Sequence, residues 1–246
     1  MSKVDVIEVE TGSQLKRFIT YPNELYAEDK NHVPHLISER KEFFNQKTNP
    51  FYKTAVTKKF LAMRDGKVVG RIATCISYRH NEVHSEQTGF FGFFDCQDDY
   101  EIAQVLLKVA MITLKSAGME RMRGPTNFTT NHECGFLVEG FDSPPMVMMT
   151  YNQPYQVALA ERFGLKKAMD LLAFKISAEQ GIPPRIQSVV DKVRKRSNIT
   201  IRSITMNNFD RDLDLIKQVY NSAWADNWGF IPMDTAEFEY LAKNLK

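Results

Sequence analysis

Apolar and charged residues alternate from Val4 to Val9 (V-D-V-I-E-V), the period of a strand with one wet face. Ser13 follows as a candidate N-cap for a helix that starts Gln14-Leu15-Lys16-Arg17-Phe18. Residues 21–51 mix aromatics with Pro22, Pro34 and Pro50 around a charged stretch, Ser38 to Asn45, and read as short helices and loops. Lys59 to Arg64 reads as a strand and Lys67 to Ile76 as its return. Between them Asp65-Gly66 is a two-residue hairpin turn, favoured because both central positions take positive φ. Gly89 to Asp95 (GFFGFFD) is almost wholly apolar, which suits a central strand buried on both faces.

Asp98 and Asp99 open a helix, since negative charge favours the N-terminal end. Ile102, Val105, Leu106, Val109, Ala110, Ile112 and Leu114 continue it at helical spacing, and Gly118 closes it. Met119 to Arg123 is a strand candidate, and Gly124 to Asn152 a long loop rich in Gly, Asn, Thr and Pro. Pro154 to Phe163 reads as a helix ended by Gly164, and Met169 to Ile176 as a last strand. These elements make a first unit over residues 1–178. Residues 179–198 read as a linker carrying one short amphipathic helix, with the basic run Lys192 to Arg196 on a solvated face.

Residues 199–246 repeat the opening order: a strand at Ile199 to Ile204, then helical periodicity from Asp210 to Asn227. They read as the beginning of an incomplete second unit. Phe209, Leu213, Ile216, Trp224, Trp228 and Phe238 are many large apolar groups for so short a piece. Each is worth roughly 1.5–3 kcal/mol when fully buried, so the piece is expected to pack on residues 1–178 or on a second copy. The open edge of the Ile199 to Ile204 strand favours a homodimer.

Composition narrows the class. The chain has 246 residues, 43% hydrophobic and 25% charged, ordinary globular values. Lys+Arg at 32 against Asp+Glu at 30 gives a net charge of +2, so no nucleic-acid partner is expected. The N-terminus has no apolar core of a secretory signal. Apolar stretches such as Met146 to Met149 are too short to span a bilayer, so no membrane partner is expected either. Three scattered cysteines (Cys75, Cys96, Cys134) suit reduced thiols and a cytoplasmic location.

Two local clusters invite chemistry and are set aside. His80 and His84 stand four apart, but no helix is evident there to give them a shared face, so no metal is expected. Cys134 beside His132 and Glu133 reads as a small buried thiol, because neighbours in sequence rarely align as catalytic partners.

The order strand, helices, hairpin, buried strand, long helix, strand, helix, strand resembles the GNAT acyltransferase superfamily. The resemblance covers roughly residues 4 to 178. The hairpin FLAMRDGKVVGRI (Phe60 to Ile72) and the stretch from Tyr151-Asn152-Gln153-Pro154-Tyr155 to Phe163-Gly164-Leu165 carry it. Gly124-Pro125-Thr126-Asn127, Asn131 to Gly135 and Gly140 to Pro145 are similar to a bacterial subgroup built of tandem GNAT-like halves. The resemblance implies an α/β (α+β) fold, a twisted mixed sheet with helices on both faces. It implies acetyl-CoA-dependent N-acyl transfer to a small-molecule amine. Glu133 would be the general base and Tyr151 or Tyr155 the acid, with Asn127, Thr130, Asn131 and Asn152 on the acceptor side. Phe94, Asp95 and Cys96 would lie along the cofactor.

Two departures bear on that expectation. The family's glycine-rich turn, whose backbone N–H groups hold the coenzyme A pyrophosphate, is here Cys96-Gln97-Asp98-Asp99-Tyr100-Glu101, with three carboxylates and no glycine. The family's frequent general-acid tyrosine falls on Ala160. The alternative is therefore a non-catalytic half that binds a ligand or serves as a platform for a catalytic second half.

Overall fold

The computed structural model describes residues 2–175, 177, 179, 181–197 and 202–243. Strand β1 (Asp5–Glu8) leads into helix α1 (Gly12–Leu25). Its cap is Thr11 rather than Ser13, because Gln14 stands three residues on and completes a reciprocal capping box: the Gln14 N–H donates to Thr11 Oγ1 at 3.2 Å, and the Thr11 N–H donates to Gln14 Oε1 at 2.9 Å. Helix α2 (Ile37–Phe43) and a single turn at Pro50–Lys53 follow.

Strands β2 (Ala55–Arg64) and β3 (Lys67–Ser77) form the expected hairpin, with φ of 51° at Asp65 and 76° at Gly66. Helix α3 (Tyr78–His84), strand β4 (Thr88–Cys96), helix α4 (Tyr100–Ser116) and strand β5 (Arg121–Arg123) come next. Helix α5 (Pro154–Phe163) ends at Gly164 with φ of 108°, as its sequence implies.

The sheet runs β1-β2-β3-β4-β5, antiparallel except for the parallel β4–β5 pair. This is the mixed sheet of an α/β fold, in the expected element order up to α5. β4 is interior and buried along its whole length, although β3 occupies the middle of the five. One apolar cluster joins Phe60, Ile72, Phe91 and Phe94 to Ile102 and Leu106 of α4. The other joins Leu61, Ala73, Phe90 and Phe93 to Phe18 of α1 and Phe128. Helices therefore cover both faces.

Side chains on one face of a strand recur every second residue, yet Phe91 and Phe94 share a face, as do Phe90 and Phe93. The register explains it: Ala73 pairs with Gly92 and Arg71 with Asp95, so β4 carries one extra residue, a bulge with φ of 48° at Phe93. Gly92 is required there because a Cβ would sit 2.0 Å from the Thr126 carbonyl oxygen.

Three local expectations change. Tyr78–His84 is helical after all, started by Ser77 Oγ, which accepts the His80 N–H at 3.2 Å. His80 and His84 therefore do share a face, their ring centroids 4.4 Å apart. Met169 to Lys175 forms no strand; Ile176 lies outside the described residues. Arg202 to Ile204 likewise forms no strand, and residues 199–201 lie outside the described set.

Beyond residue 178, helix α6 (Pro184–Arg196) precedes α7 (Phe209–Ala223) and α8 (Thr235–Lys243). The C-terminal segment packs on the first unit, although Ile216 and Trp224, two of the groups expected to be buried, stay exposed. Phe230 and Ile231 are buried, and His84 Nε2 lies 2.9 Å from the Phe230 carbonyl oxygen. Thr130 Oγ1 donates to the Gly229 oxygen at 2.8 Å, and Asn131 Nδ2 to the Ile231 oxygen at 3.1 Å. Arg79 donates to Glu237 at 2.5 Å.

Candidate functional site: a polar cleft beside the β4 bulge

Gly92 and Gly124 let the chain leaving β5 press against β4, with the Thr126 N–H donating to the Phe91 oxygen at 2.8 Å. A cleft of about 340 Å³ lies beside these two segments. Its floor is the end of β4, its walls the α1–α2 connection and residues 125–136, and its rim residues 145–152. The Gly124–Asn152 segment contributes no helix or strand, which leaves its side chains free to shape this space.

Glu133 stands at the centre of one polar cluster. Arg40 Nη2 donates to Oε1, Asn127 Nδ2 donates to Oε2 at 2.8 Å, and His35 Nε2 lies 3.8 Å away. Asn127 is itself fixed to the strand, because its Oδ1 accepts the Phe93 N–H at 2.7 Å. Burial works to raise the Glu133 carboxyl, but Arg40, His35 and the Asn127 amide outweigh it and hold the group below the ordinary carboxylate range. His35 is half-exposed, and partial burial together with the Arg40 charge lowers its pKa, which keeps the imidazole neutral near pH 7.

A second cluster closes the floor. Arg71 Nε donates to Asp95 Oδ2 at 2.7 Å and its Nη1 to the Phe18 oxygen at 2.7 Å. The Tyr26 hydroxyl donates to Asp95 Oδ1 at 2.6 Å and accepts from Gln156 Nε2 at 2.8 Å. Burial first, and Asp95 second, raise the Tyr26 phenol. A third group borders the rim: Tyr151 and Gln153 both donate to Asp29 Oδ2, and the His32 ring sits 4.9 Å from Tyr26 and 5.7 Å from Tyr151. The rim itself is apolar and wet, with Met146, Val147, Met148 and Met149 all exposed.

The structure brings Glu133, Asn127, Tyr151, Asn152, Phe94 and Asp95 to this cleft. The Asn152 side chain is committed to the loop, where its Oδ1 accepts the Leu137 N–H at 2.7 Å. Tyr155 lies outside the lining and donates to the Cys96 oxygen at 2.8 Å, which ties α5 to the end of β4. Thr130 and Asn131 also lie outside and anchor the C-terminal segment; Asn131 Oδ1 additionally accepts the Tyr220 hydroxyl at 3.0 Å. Cys134 is half-buried, its Sγ 3.7 Å from Thr126 Oγ1, and burial raises the thiol. Sequence reasoning missed His32, His35 and Arg40. They lie some hundred residues before Glu133 in a stretch without periodicity, where the short segment H-V-P-H marks the two histidines and nothing marks Arg40.

The acidic turn before α4 is filled by its own side chains. Asp99 Oδ1 accepts the Glu101 N–H at 2.8 Å, while Arg64 pairs with Asp99 and Glu101, each at 2.8 Å. These residues do not fit a pyrophosphate. Among the described residues there is no group of three or more His, Cys, Asp or Glu that could hold a metal ion, and no helix is long and apolar enough to cross a membrane.

No family model matches the chain. It is 38% identical over 244 residues to the bacterial ceramide synthase of Caulobacter vibrioides, covering 99% of this chain and 63% of that protein. It is 36% identical over 235 residues to protein YghO of Escherichia coli K12, covering 95% of this chain and 60% of that protein. The chain thus spans about three fifths of the length of the curated relatives it matches. Among solved structures, an aminoglycoside acetyltransferase from an uncultured soil metagenomic sample aligns with a TM-score of 0.44 at 13% identity, over 71% of this chain and 95% of that one.

Proposed function

We propose that this chain forms the acceptor site of an N-acyltransferase whose substrate is a long-chain amino alcohol of the kind found in ceramides. The observation that carries the reading is the cleft's division: an ionised Glu133 and neutral His35 inside, and an apolar rim at Met146–Met149 outside. A charged ammonium head enters towards Glu133 while an alkyl chain leaves over the methionines, whose unbranched side chains adapt to such a surface. The identity to the Caulobacter vibrioides ceramide synthase supports the substrate class.

An ammonium must lose a proton before its nitrogen can attack a carbonyl. His35 is the candidate acceptor of that proton, its imidazole neutral; Glu133, 3.8 Å away, favours the imidazolium, while burial and the Arg40 guanidinium, whose Nη2 lies 2.8 Å from His35 Nε2, oppose it. Glu133, already paired with Arg40, orients and charges the site rather than taking the proton itself. The Tyr151 hydroxyl is committed to Asp29 and holds the rim.

A second reading has one specific observation in its favour. The turn before α4 is closed by Asp99, Glu101 and Arg64, so this chain presents the acceptor while the phosphates of an acyl donor are held elsewhere in a longer protein.

Calorimetric titration with sphinganine, and separately with ethanolamine, tests the acceptor assignment. Saturable binding of the long amine that weakens by about tenfold in Glu133→Gln, with little binding of the short one, is expected. Equal binding of both amines, or none of either, overturns it.

A further inference from the structure

The basic run Lys192 to Arg196 belongs to α6, and the helix has a second face that its charges do not explain. Ile186, Val189, Val190 and Val193 fall at positions i, i+3, i+4 and i+7 and form one apolar stripe. Ile186, Val189 and Val193 are 54%, 55% and 45% exposed and Val190 is partly buried, so most of the stripe is bare among the described residues. Arg185, Lys192, Arg194, Lys195 and Arg196 stand against a single carboxylate, Asp191. None of the five basic side chains forms an ion pair with a described residue, whereas Asp191 is engaged by Gln187 Nε2 at 3.0 Å. The irregular stretch before the helix exposes Leu171, Leu172 and Phe174 between Lys167 and Lys175, repeating the same mixture of bare apolar groups and cations.

We propose that α6 docks on an anionic lipid surface. The charge excess selects an anionic partner, and the stripe decides which kind. A nucleic-acid backbone would pair with the cations and leave three exposed aliphatic side chains in water, while a headgroup layer takes both at once. The three cations in the last turn also satisfy the helix's negative end, but that role gives no reason for the stripe. Docking replaces the solvated face that the sequence alone suggests. It is compatible with a lipid amine as substrate and does not depend on it, because vesicle binding is read without any substrate.

Flotation of the full chain with vesicles tests the proposal. Binding to vesicles containing phosphatidylglycerol, little binding to pure phosphatidylcholine, and release by high salt are expected. Two variants separate the two faces: Val189→Asp with Val193→Asp, and Lys192→Gln with Lys195→Gln and Arg196→Gln. Each should lower vesicle binding about tenfold while circular dichroism and sphinganine titration stay as in the parent. Equal flotation with neutral and anionic vesicles, no flotation, or unchanged binding by the double aspartate variant overturns the proposal. So does a single-stranded RNA that binds the parent and the double aspartate variant alike.

Discussion

The Asn127 side chain accepts the Phe93 backbone N–H at 2.7 Å, which fixes the floor of the cleft to the bulged strand. Its amide end donates to Glu133. One side chain thus sets both the backbone and the carboxylate. Asn127→Leu should strip a donor from Glu133 and leave the Phe93 N–H without its partner. The expected loss of stability is about 1–3 kcal/mol in urea unfolding, together with loss of sphinganine binding.

Tyr26 stands between Asp95 and Gln156. Tyr26→Phe removes one hydroxyl and deprives two buried groups at once; Gln156 Oε1 already has no partner among the described residues. A destabilisation of about 1–3 kcal/mol is expected, measured by the denaturation midpoint at constant slope.

Gly92→Ala drives a methyl group into the Thr126 backbone oxygen. Backbone cannot swing aside as a side chain can, so the β5 continuation must shift. An unfolding cost of about 1–3 kcal/mol is expected, with sphinganine binding reduced even where the variant stays folded.

Burial lowers His80 and His132 to about 4 from the ordinary histidine value of 6.5. The unfolded chain therefore takes up protons that the folded one refuses, and stability falls as pH drops through the window between 6.5 and about 4. Glu133 and Asp29, both lowered, act further down: their stabilisation is lost only as pH falls below the ordinary carboxylate range. Urea midpoints at several pH values should decline across the histidine window, and His132→Gln should flatten part of that slope.

Trypsin offers a check on the C-terminal segment. Cleavage within Lys192 to Arg196 should leave the C-terminal piece bound, because Arg79, His84, Thr130 and Asn131 hold it across the cut. Co-elution on a sizing column is the expected result; separation into two soluble monomers would contradict it.

Local chemistry explains which parts of the fold were legible. Asp65-Gly66, Pro154 to Gly164 and the apolar β4 each carry their instruction within a few residues. Met169 to Lys175 looked like a strand, but a strand needs a neighbour, and the described chain supplies none. Helix α3 was hidden because seven residues are too few to display a period. In the cleft, Glu133 and Asn127 stood out through the length of their loop. Arg40 and His35 come from the other side of the sheet's sequence, and no spacing rule joins them to Glu133. Thr130 and Asn131 carry the same polar chemistry as Asn127, yet they face the C-terminal segment; their direction is a property of the turn and not of the residue type.

The extra residue in β4 has a consequence for how this strand tolerates change. Phe93 and Asp95 share the α1 side only because Gly92 is inserted before them. Were the same residues to run as a regular strand without the bulge, the parity of everything after Phe91 would reverse. Asp95 would then turn towards Ile102 and Leu106, a carboxylate among aliphatic groups, while Arg71 and Tyr26 lost their common partner. The strand can accept other side chains at several positions, but its bulge is a fixed quantity: straightening it at constant length would invert the inside and outside of the cleft floor without altering a single chemical group in it.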